Sequence, residues 1–226
     1  MRVQHLELHD TMRLIDSRHD TEASHALHAL TDDDAETTAV LVDLVRVTSA
    51  RTQAELGQNP AFARNVLVAG VPLAAVINAA FTYPSGTGFG GGRFNREQFG
   101  AWYCSDGLDA AKAEVAFHRA RFLQQSRIDQ AEMAFTVYLA DVNGDLAVLA
   151  ARADAEYLHP DSYVASQNFA DECRARQLSG IRYPSVRLAG ALNTAVLIPH
   201  LVQHVRRSNT YAAHWDGSSM QWHQIK

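Results

Sequence analysis

Four segments of this chain carry side chains suited to chemistry. They are Gly91-Gly-Arg-Phe-Asn95, Ala101-Trp-Tyr-Cys-Ser105, Ala113-Glu-Val-Ala-Phe-His118 and Gly180-Ile-Arg-Tyr-Pro-Ser-Val-Arg187, the last followed by Gly190 and Asn193. Within them, Arg93, Tyr103 and Glu114 follow one another at steps of ten and eleven residues. A guanidinium group pairs with phosphate oxygens through its planar fork, and a carboxylate stabilises positive charge that develops in a reaction. We therefore treat the three residues as candidates for one catalytic site.

The sequence around Glu114 predicts a helix that would hold this acid on or beside a buried face. Ser105 or Asp106 can cap the helix, and apolar residues then recur at helical spacing through Gln124. A buried acid is costly unless it has a partner or a task. Ordinary explanations exist too, since Arg93 could hold a loop carbonyl and Tyr103 could belong to the core. The ordered set is what favours a site over a coincidence.

Three other motifs lack the context that their chemistry requires. The glycine-rich run from Gly86 to Gly91 fits the dinucleotide pattern, but it does not open a helix, which argues against a nicotinamide-dependent dehydrogenase. The eleven histidines form no known ligand set, so we predict no metal site. Ser185 lacks the Gly-x-Ser-x-Gly elbow of many serine hydrolases, which leaves a serine triad open but unsupported.

The composition is that of a folded protein from a reducing compartment. The chain has 226 residues, 47% of them hydrophobic, so it can bury a real core. A net charge of -5 argues against binding of bare nucleic acid, which depends on Lys and Arg. The two cysteines make no disulfide framework, and the first ten residues contain no apolar signal segment. Because glycines and prolines interrupt the uncharged stretch from Val66 to Gly92, we expect a cytoplasmic protein without a membrane helix.

The predicted elements are mixed in order, which indicates an α+β fold. In the first half we expect extended pieces over residues 1–19, one amphipathic helix from a cap at Asp32 to Asp34 down to Gly57–Pro60, and strands at Ala74–Thr82 and Ala101–Cys104. In the second half we expect strands at Met133–Asp141 and Leu146–Ala150 around a turn at Asn143–Gly144, a helix over Tyr163–Leu178 capped by Gly180, strands at Ile181–Tyr183 and Ala195–Ile198, and a hairpin at Asp216–Gly217 between Trp215 and Trp222. We interpret residues 1–226 as a single domain, with residues 1–40 as an N-terminal elaboration.

Together, the four segments resemble the RES family, whose members are bacterial toxins of RES–Xre toxin–antitoxin systems. The spacing of Arg93, Tyr103 and Glu114 and the Tyr-Pro-Ser context of Ser185 are similar to the family pattern. The resemblance covers roughly residues 44–197. It implies an ADP-ribosyltransferase-like fold of split mixed β-sheets with surrounding helices, and NAD+ as a substrate with no separate cofactor. It also implies a partner, an Xre-like helix-turn-helix antitoxin that blocks the NAD+ pocket.

The resemblance implies a role for each candidate residue in NAD+ cleavage. Nicotinamide leaves NAD+ as a neutral molecule, so no second acid is needed to protonate it, unlike in an ordinary glycosidase. Glu114 would stabilise the oxocarbenium-like ribose of the transition state. Arg93 would bind the pyrophosphate, Tyr103 would stack on the nicotinamide ring, and Ser185 would hydrogen-bond the ribose or the nicotinamide amide. Weaker candidates for ordering the site are Asn95, Arg187 and Asn193.

The acceptor of the ADP-ribose is open at this point. Water would give a glycohydrolase and phosphate a phosphorylase. A protein side chain would give a mono-ADP-ribosyltransferase that modifies a metabolic enzyme, such as a phosphoribosyl pyrophosphate synthetase. Arginine-directed transferases resemble one another in a Glu or Gln two residues before the catalytic Glu, and Lys112 at that position disfavours arginine as the target. A second alternative is a catalytically inactive module that binds a partner.

Overall fold

The computed structural model of the protein describes residues 1–19, 34–37, 40–41, 44, 49–59, 66–83 and 90–225. The α-helices whose bounds are described are α1 (Ala50–Glu55), α2 (Ala74–Thr82), α3 (Leu108–Gln125) and α4 (Val164–Ala175). Residues 35–37, 40–41 and 44 are helical as well. The strands are β1 (Val3–Asp16), β2 (Gly91–Gly92), β3 (Asn95–Arg96), β4 (Trp102–Ser105), β5 (Ala131–Val148), β6 (Gly180–Pro184), β7 (Leu192–Val196), β8 (Val202–Trp215) and β9 (Met220–Gln224). Short 3₁₀ helices lie at Ser17–His19, Ala155–Leu158 and Pro199–Leu201.

Seven of the described strands form one mixed sheet in the order β1-β4-β7-β6-β5-β8-β9. β1 also pairs with β5, so that β1, β4, β7, β6 and β5 follow one another around a closed ring. β5 and β6 run parallel, whereas the other described pairs are antiparallel. A mixed sheet with helices packed around it confirms the predicted α+β class.

The long strand β5 serves two parts of the sheet. Its residues 131–142 pair with β8, whereas its residues 146–148 pair with β6. β1 runs beside β5 through both parts, over residues 3–16. The sheet is therefore divided between two sets of neighbours, as the split-sheet resemblance implies.

β5 is one continuous strand, so the predicted turn at Asn143–Gly144 is wrong. Asn143 and Gly144 lie opposite Glu7 and Leu6 of β1, and the pairing runs through them without interruption. Gly144 is needed for space, because a Cβ there would collide with Ser179 Oγ. An Asn-Gly pair signals a hairpin through local preference alone. Here, the pairing with β1 outweighs that preference.

Residues Ala74–Thr82 form a helix, so the strand predicted there is wrong. A short apolar run cannot be assigned to helix or strand from periodicity alone. Four of the nine residues are alanine, the strongest helix former. Ile77 and Phe81 lie one helical turn apart, and both are buried in the core cluster that contains Trp102. Among the described residues, no helix is both long and apolar enough to cross a membrane.

The single helix predicted between Asp32 and Pro60 is interrupted. Ser49 has an extended backbone and caps α1, its Oγ accepting a hydrogen bond from Thr52 N at 3.2 Å. An extended residue cannot lie inside a continuous helix, so α1 is a separate element. The predicted caps Asp32 and Asp33 lie outside the described residues, whereas Asp34 accepts a hydrogen bond from Thr37 N at 2.8 Å.

Two other helix ends differ from their predictions. The left-handed residue after α4 is Gln177, with φ of 57°, and Gly180 instead opens β6. A Cβ at Gly180 would collide with the carbonyl oxygen of Ala195 on β7, so close strand packing explains this glycine. The N-cap of α3 is Gly107 rather than Ser105 or Asp106, which belong to β4 and to the bend after it.

The other predicted elements are confirmed, except that the strand predicted at Ala195–Ile198 lies earlier, as β7 at Leu192–Val196. Residues 3–16 are extended as β1, residues 102–105 form β4, and Glu114 lies on α3 as expected. β8 and β9 form a hairpin at Asp216–Gly217, where Asp216 Oδ1 accepts hydrogen bonds from Ser218 N and Ser219 N.

The strands nearest the candidate residues share a core with the short β2–β3 ribbon. Phe94, between β2 and β3, is fully buried in the cluster that contains Ile181 and Tyr183 of β6. Tyr103 of β4 packs against the same cluster. The core therefore holds the ribbon, β4 and β6 in one arrangement.

Candidate active site

Arg93 lies at the tip of a two-residue hairpin. β2 and β3 pair through Gly91 with Arg96 and Gly92 with Asn95, which leaves Arg93 and Phe94 as the turn. Phe94 anchors the turn, since its ring packs edge-on against Tyr183 with centroids 4.8 Å apart. A Cβ at Gly92 would collide with the Tyr103 hydroxyl, so this close approach requires glycine. The predicted loop residues 84–89 lie outside the described part of the chain.

The Arg93 side chain is buried and held by the segment that precedes α4. Its Nη1 donates to the carbonyl of His159 at 2.7 Å and to that of Tyr157 at 3.4 Å. The guanidinium carbon lies 4.7 Å from the centroid of the Tyr163 ring, a cation–π contact. Arg93 therefore holds loop carbonyls, which is the structural role considered for it in the sequence. These bonds use one of its two terminal nitrogens.

Tyr103 ties the hairpin to β4. Its hydroxyl donates to Asn95 Oδ1 at 2.8 Å and accepts from Phe94 N at 2.8 Å. Burial raises the pKa of Tyr103, so that the hydroxyl stays neutral. The Tyr103 hydroxyl is thus occupied by hydrogen bonds to the hairpin. A ligand would contact the Tyr103 ring instead, and the predicted stacking on nicotinamide is a contact of that kind.

Glu114 is fixed to the sheet by two neutral side chains. Its Oε1 accepts from Asn193 Nδ2 at 2.7 Å and from Ser185 Oγ at 3.2 Å. Asn193 is the buried second residue of β7, where it lies opposite both Ser105 and Tyr183. Its Oδ1 accepts from Ser105 Oγ at 2.7 Å, which fixes the amide orientation so that the NH₂ group points to Glu114.

The environment of Glu114 disfavours its charge only in part. Burial raises the pKa of Glu114, while the Ser185 hydrogen bond, the charges of Arg187 and Arg93, and the Asn193 hydrogen bond oppose that rise. Both arginines are thus close enough to act through charge. Among the described residues, however, the hydrogen bonds to this carboxylate come from neutral groups.

Ser185 and Arg187 belong to one tight turn after β6. Ser185 Oγ accepts from the backbone nitrogens of Arg187 and Leu188 at 3.2 and 3.1 Å, while its hydrogen is directed to Glu114. This is a structural turn and not a serine paired with a base histidine. Arg187 Nη2 donates to Pro160 O at 2.6 Å, and its guanidinium lies over the ring of Phe117. Its buried Nε has no hydrogen-bond partner among the residues that the structure describes.

Two residues of the site were not predicted from the sequence. His118 lies one helical turn after Glu114, and burial together with the charges of Arg187 and Arg93 lowers its pKa to about 4. The i, i+4 spacing was a signal that could have found it. Gln167 of α4 is buried and donates to three carbonyls of the hairpin region. No local pattern marks it, because its partners are about 75 residues away in sequence.

Five of the seven predicted site residues fall into two connected groups, while Arg93 and Arg187 hold carbonyls of the 157–160 segment. Glu114, Ser185 and Asn193 are in direct contact, and Tyr103 contacts Asn95. The groups meet at Tyr183, which lies opposite Asn193 on β7 and whose ring packs against Phe94 of the hairpin. Burial, followed by the effects of Glu114 and Tyr103, raises the pKa of Tyr183. One region therefore combines an anchored carboxylate, two guanidinium groups and a phenol ring.

Two described cavities lie elsewhere. One of about 310 Å³ is bordered by Asp16, Arg119 and Phe122, and another of about 570 Å³ by Phe99, Arg174 and Leu197. Neither is lined by Arg93, Tyr103 or Glu114, so the chemistry of the side chains and not cavity size identifies the candidate site. In the described part of the chain, no three His, Cys, Asp or Glu side chains are arranged to hold a metal ion.

The fold and site define an α+β protein whose candidate active site surrounds a half-buried glutamate. The RES domain family matches residues 67–216, which is 150 of the 226 residues, and the chain therefore belongs to this family. This confirms the resemblance found in the motifs, and all the predicted site residues lie in the matched range. β1 lies outside it, yet pairs with β5 along most of its length.

One solved structure, the M. tuberculosis MbcT–MbcA toxin–antitoxin complex, is similar to this chain. The sequence identity is 17% and the TM-score is 0.42, over 53% of this chain and 70% of the other. No curated protein sequence matches the chain.

Proposed function

We propose that this protein is the toxin of a toxin–antitoxin system and that it cleaves the nicotinamide–ribose bond of NAD+. Membership of the RES domain family supports the toxin role, and the family resemblance supplies NAD+ as the substrate. The arrangement around Glu114 supports the chemistry. An Xre-like helix-turn-helix antitoxin is part of the proposal as the partner that blocks the site.

The observation that carries the proposal is the state of Glu114. This carboxylate is half-buried, anchored by Asn193 and Ser185, and not neutralised by a direct hydrogen bond from an arginine among the described residues. Such a carboxylate interacts strongly with a cation that approaches it, because little water screens the pair. In NAD+ cleavage, that cation is the oxocarbenium-like ribose, and the neutral nicotinamide departs without a proton.

The arginines fit the anionic half of the same substrate. Arg93 and Arg187 each use one terminal nitrogen on a carbonyl of the 157–160 segment. Within the described part of the chain, the buried Nε of Arg187 has no hydrogen-bond partner. A pyrophosphate would accept from the donors that remain. One side of the site would then bind the phosphates while Glu114 faces the ribose.

The surroundings of Lys112 bear on the acceptor. Its Nζ lies 3.9 Å from the centroid of the Tyr211 ring and 5.7 Å from that of Trp222, on the β8–β9 hairpin. Position 112, two residues before Glu114, therefore carries an amine and no carboxylate or amide that could orient an arginine acceptor. This supports hydrolysis or phosphorolysis over transfer to arginine, while transfer to another residue type of a metabolic enzyme is the alternative.

The test is to incubate the purified protein with NAD+ and to measure free nicotinamide. We expect release that continues over many turnovers and that Glu114→Gln abolishes. Parallel reactions with added phosphate, and with a cell lysate and labelled NAD+, distinguish ADP-ribose, ADP-ribose 1-phosphate and labelled protein as products. A wild-type protein that binds its antitoxin but releases no nicotinamide in any reaction would instead be a binding module, and the proposal would be wrong.

A further inference from the structure

The hairpin that carries Arg93 has little secondary structure of its own. β2 and β3 contribute two residues each and pair at two positions, and a two-stranded ribbon of this size is not stable alone. Gly90 and Gly91 both have positive φ, at 69° and 113°. The position of Arg93 must therefore come from contacts outside the ribbon.

One buried side chain supplies those contacts to the backbone. Nε2 of Gln167, on α4, donates to the carbonyls of Gly90, Gly92 and Asn95 at 3.2, 3.1 and 3.2 Å. Gln167 is 6% exposed, so water does not replace these bonds easily. Three carbonyls converge on one NH₂ group from both sides of the Arg93–Phe94 turn. A side chain without donors at this position would remove these bonds from the hairpin.

The segment just before Gln167 holds the other end of Arg93. The carbonyls of Tyr157 and His159 and the ring of Tyr163 contact the guanidinium group. Residues 157–167 thus hold the side chain of Arg93 and, through Gln167, the backbone on both sides of the Arg93–Phe94 turn. We call these residues the arginine clamp.

We propose that Gln167 is a positioning residue that sets Arg93 for the pyrophosphate of the substrate, an inference that rests on the proposed NAD+ cleavage. The pyrophosphate keeps its charge through the reaction, so Arg93 contributes about equally to the bound substrate and the transition state. Misplacing Arg93 is therefore expected to raise KM for NAD+ and to change kcat much less. Replacing a residue that only stabilises the fold would change neither KM nor kcat.

The experiment compares Gln167→Met, a near-isostere without donors, with a matched buried amide elsewhere. Asn78 of α2 is 1% exposed and holds Val68 through its nitrogen and its oxygen, both at 3.0 Å. We expect Gln167→Met to raise KM for NAD+ by about tenfold to a hundredfold with kcat changed much less. Asn78→Leu is expected to lower Tm while KM stays at the wild-type value.

A double-mutant cycle tests whether Gln167 acts through Arg93. In an Arg93→Ala background, adding Gln167→Met should change KM by less than about twofold, because the group that it positions is absent. An unchanged KM in the single Gln167→Met variant would overturn the inference. So would the same KM increase with and without Arg93.

Hydrogen exchange of residues 90–96 separates failure of this inference from failure of the proposed function, because it needs no NAD+. We expect Gln167→Met to speed exchange in this segment of the free protein, while Asn78→Leu leaves it unchanged. If Gln167→Met speeds exchange but the wild-type protein does not turn over NAD+, the arginine clamp is retained and NAD+ is rejected as the substrate. Exchange at the wild-type rate in Gln167→Met would reject the clamp whatever the protein does to NAD+.

Discussion

Asp16 and Glu114 both lie beside arginines, yet their surroundings shift the two pKa values in opposite directions. Asp16, at the end of β1, accepts from Arg18 Nε at 3.0 Å and Nη2 at 2.7 Å, and from Arg119 Nη2 at 3.1 Å. Burial alone would raise the pKa of Asp16, but these bonds and charges outweigh it and lower the pKa. Glu114 has neutral hydrogen-bond partners, and burial raises its pKa.

The difference lies in where the arginines direct their donors. Arg18 and Arg119 donate to the carboxylate itself, whereas Arg93 and Arg187 donate to backbone carbonyls. Asp16 is therefore part of a completed ion pair. Glu114 is a carboxylate whose charge is not matched by direct partners, which is the state expected of a group that acts on a ligand.

The largest expected effect is that of Glu114→Gln on activity. The amide keeps the size of the side chain and removes its charge, so nicotinamide release should fall by about a thousandfold. The melting temperature should stay the same or rise, because the buried charge is gone. Nicotinamide release at saturating NAD+ and a thermal melt are the measurements. Activity within tenfold of wild type would show that Glu114 is as structural as Asp16.

The next largest effect is expected when arginine is replaced by lysine, which should change KM at the Glu114 site but not at the Asp16 site. Arg93→Lys keeps one charge but loses the planar fork, and we expect KM for NAD+ to rise by about tenfold or more. Arg119→Lys, the matched change beside Asp16, should leave KM at the wild-type value. Steady-state kinetics on both variants give the answer. Equal effects on KM would mean that the two arginine clusters do not differ in function.

Asp16→Asn should act on stability alone. It removes one partner of the ion pair with Arg18 and Arg119, at a cost of about 1–3 kcal/mol, with the partial exposure of the arginines limiting the loss. Turnover of NAD+ should be unchanged. Urea unfolding at neutral pH measures the first effect and nicotinamide release the second. A loss of activity without loss of stability would place Asp16 in the catalytic machinery.

The smallest expected effect is a pH dependence of opposite sign at the two sites. The Asp16 pKa is lower in the folded protein, so its stabilisation is complete above pH ~4 and is lost as the pH falls. The Glu114 pKa is raised, so its ionisation weakens the fold as the pH rises above ~4. Relative to wild type, Asp16→Asn should therefore be less stable at pH 7 and Glu114→Gln equally or more stable. Both differences should shrink in acid, and urea unfolding across pH measures them.

Short-range patterns predicted much of this protein. The amphipathic spacing after Ser105 identified α3 and placed Glu114 beside its buried face, because the helical period depends on neighbouring residues. The ordered motifs identified the family and also Glu114, Tyr103 and Arg93, but not His118 or Gln167. The errors at Asn143–Gly144 and Gly180 share one cause, because in both cases a partner distant in sequence outweighed the local preference. The error at Ala74–Thr82 has another cause, since the periodicity of a short apolar run does not separate helix from strand.

The residue types needed for the proposed chemistry, and the elements that carry most of them, were thus determined by the order of amino acids. Tertiary structure decided how fully each carboxylate is matched by its partners. Arg18 lies only two residues from Asp16, but Arg119, Ser185 and Asn193 come from elements distant in sequence, and the pKa of an acid depends on burial and on the donors that reach it. The same holds for Gln167, which acquires its place at the site only when α4 packs against the hairpin of Arg93.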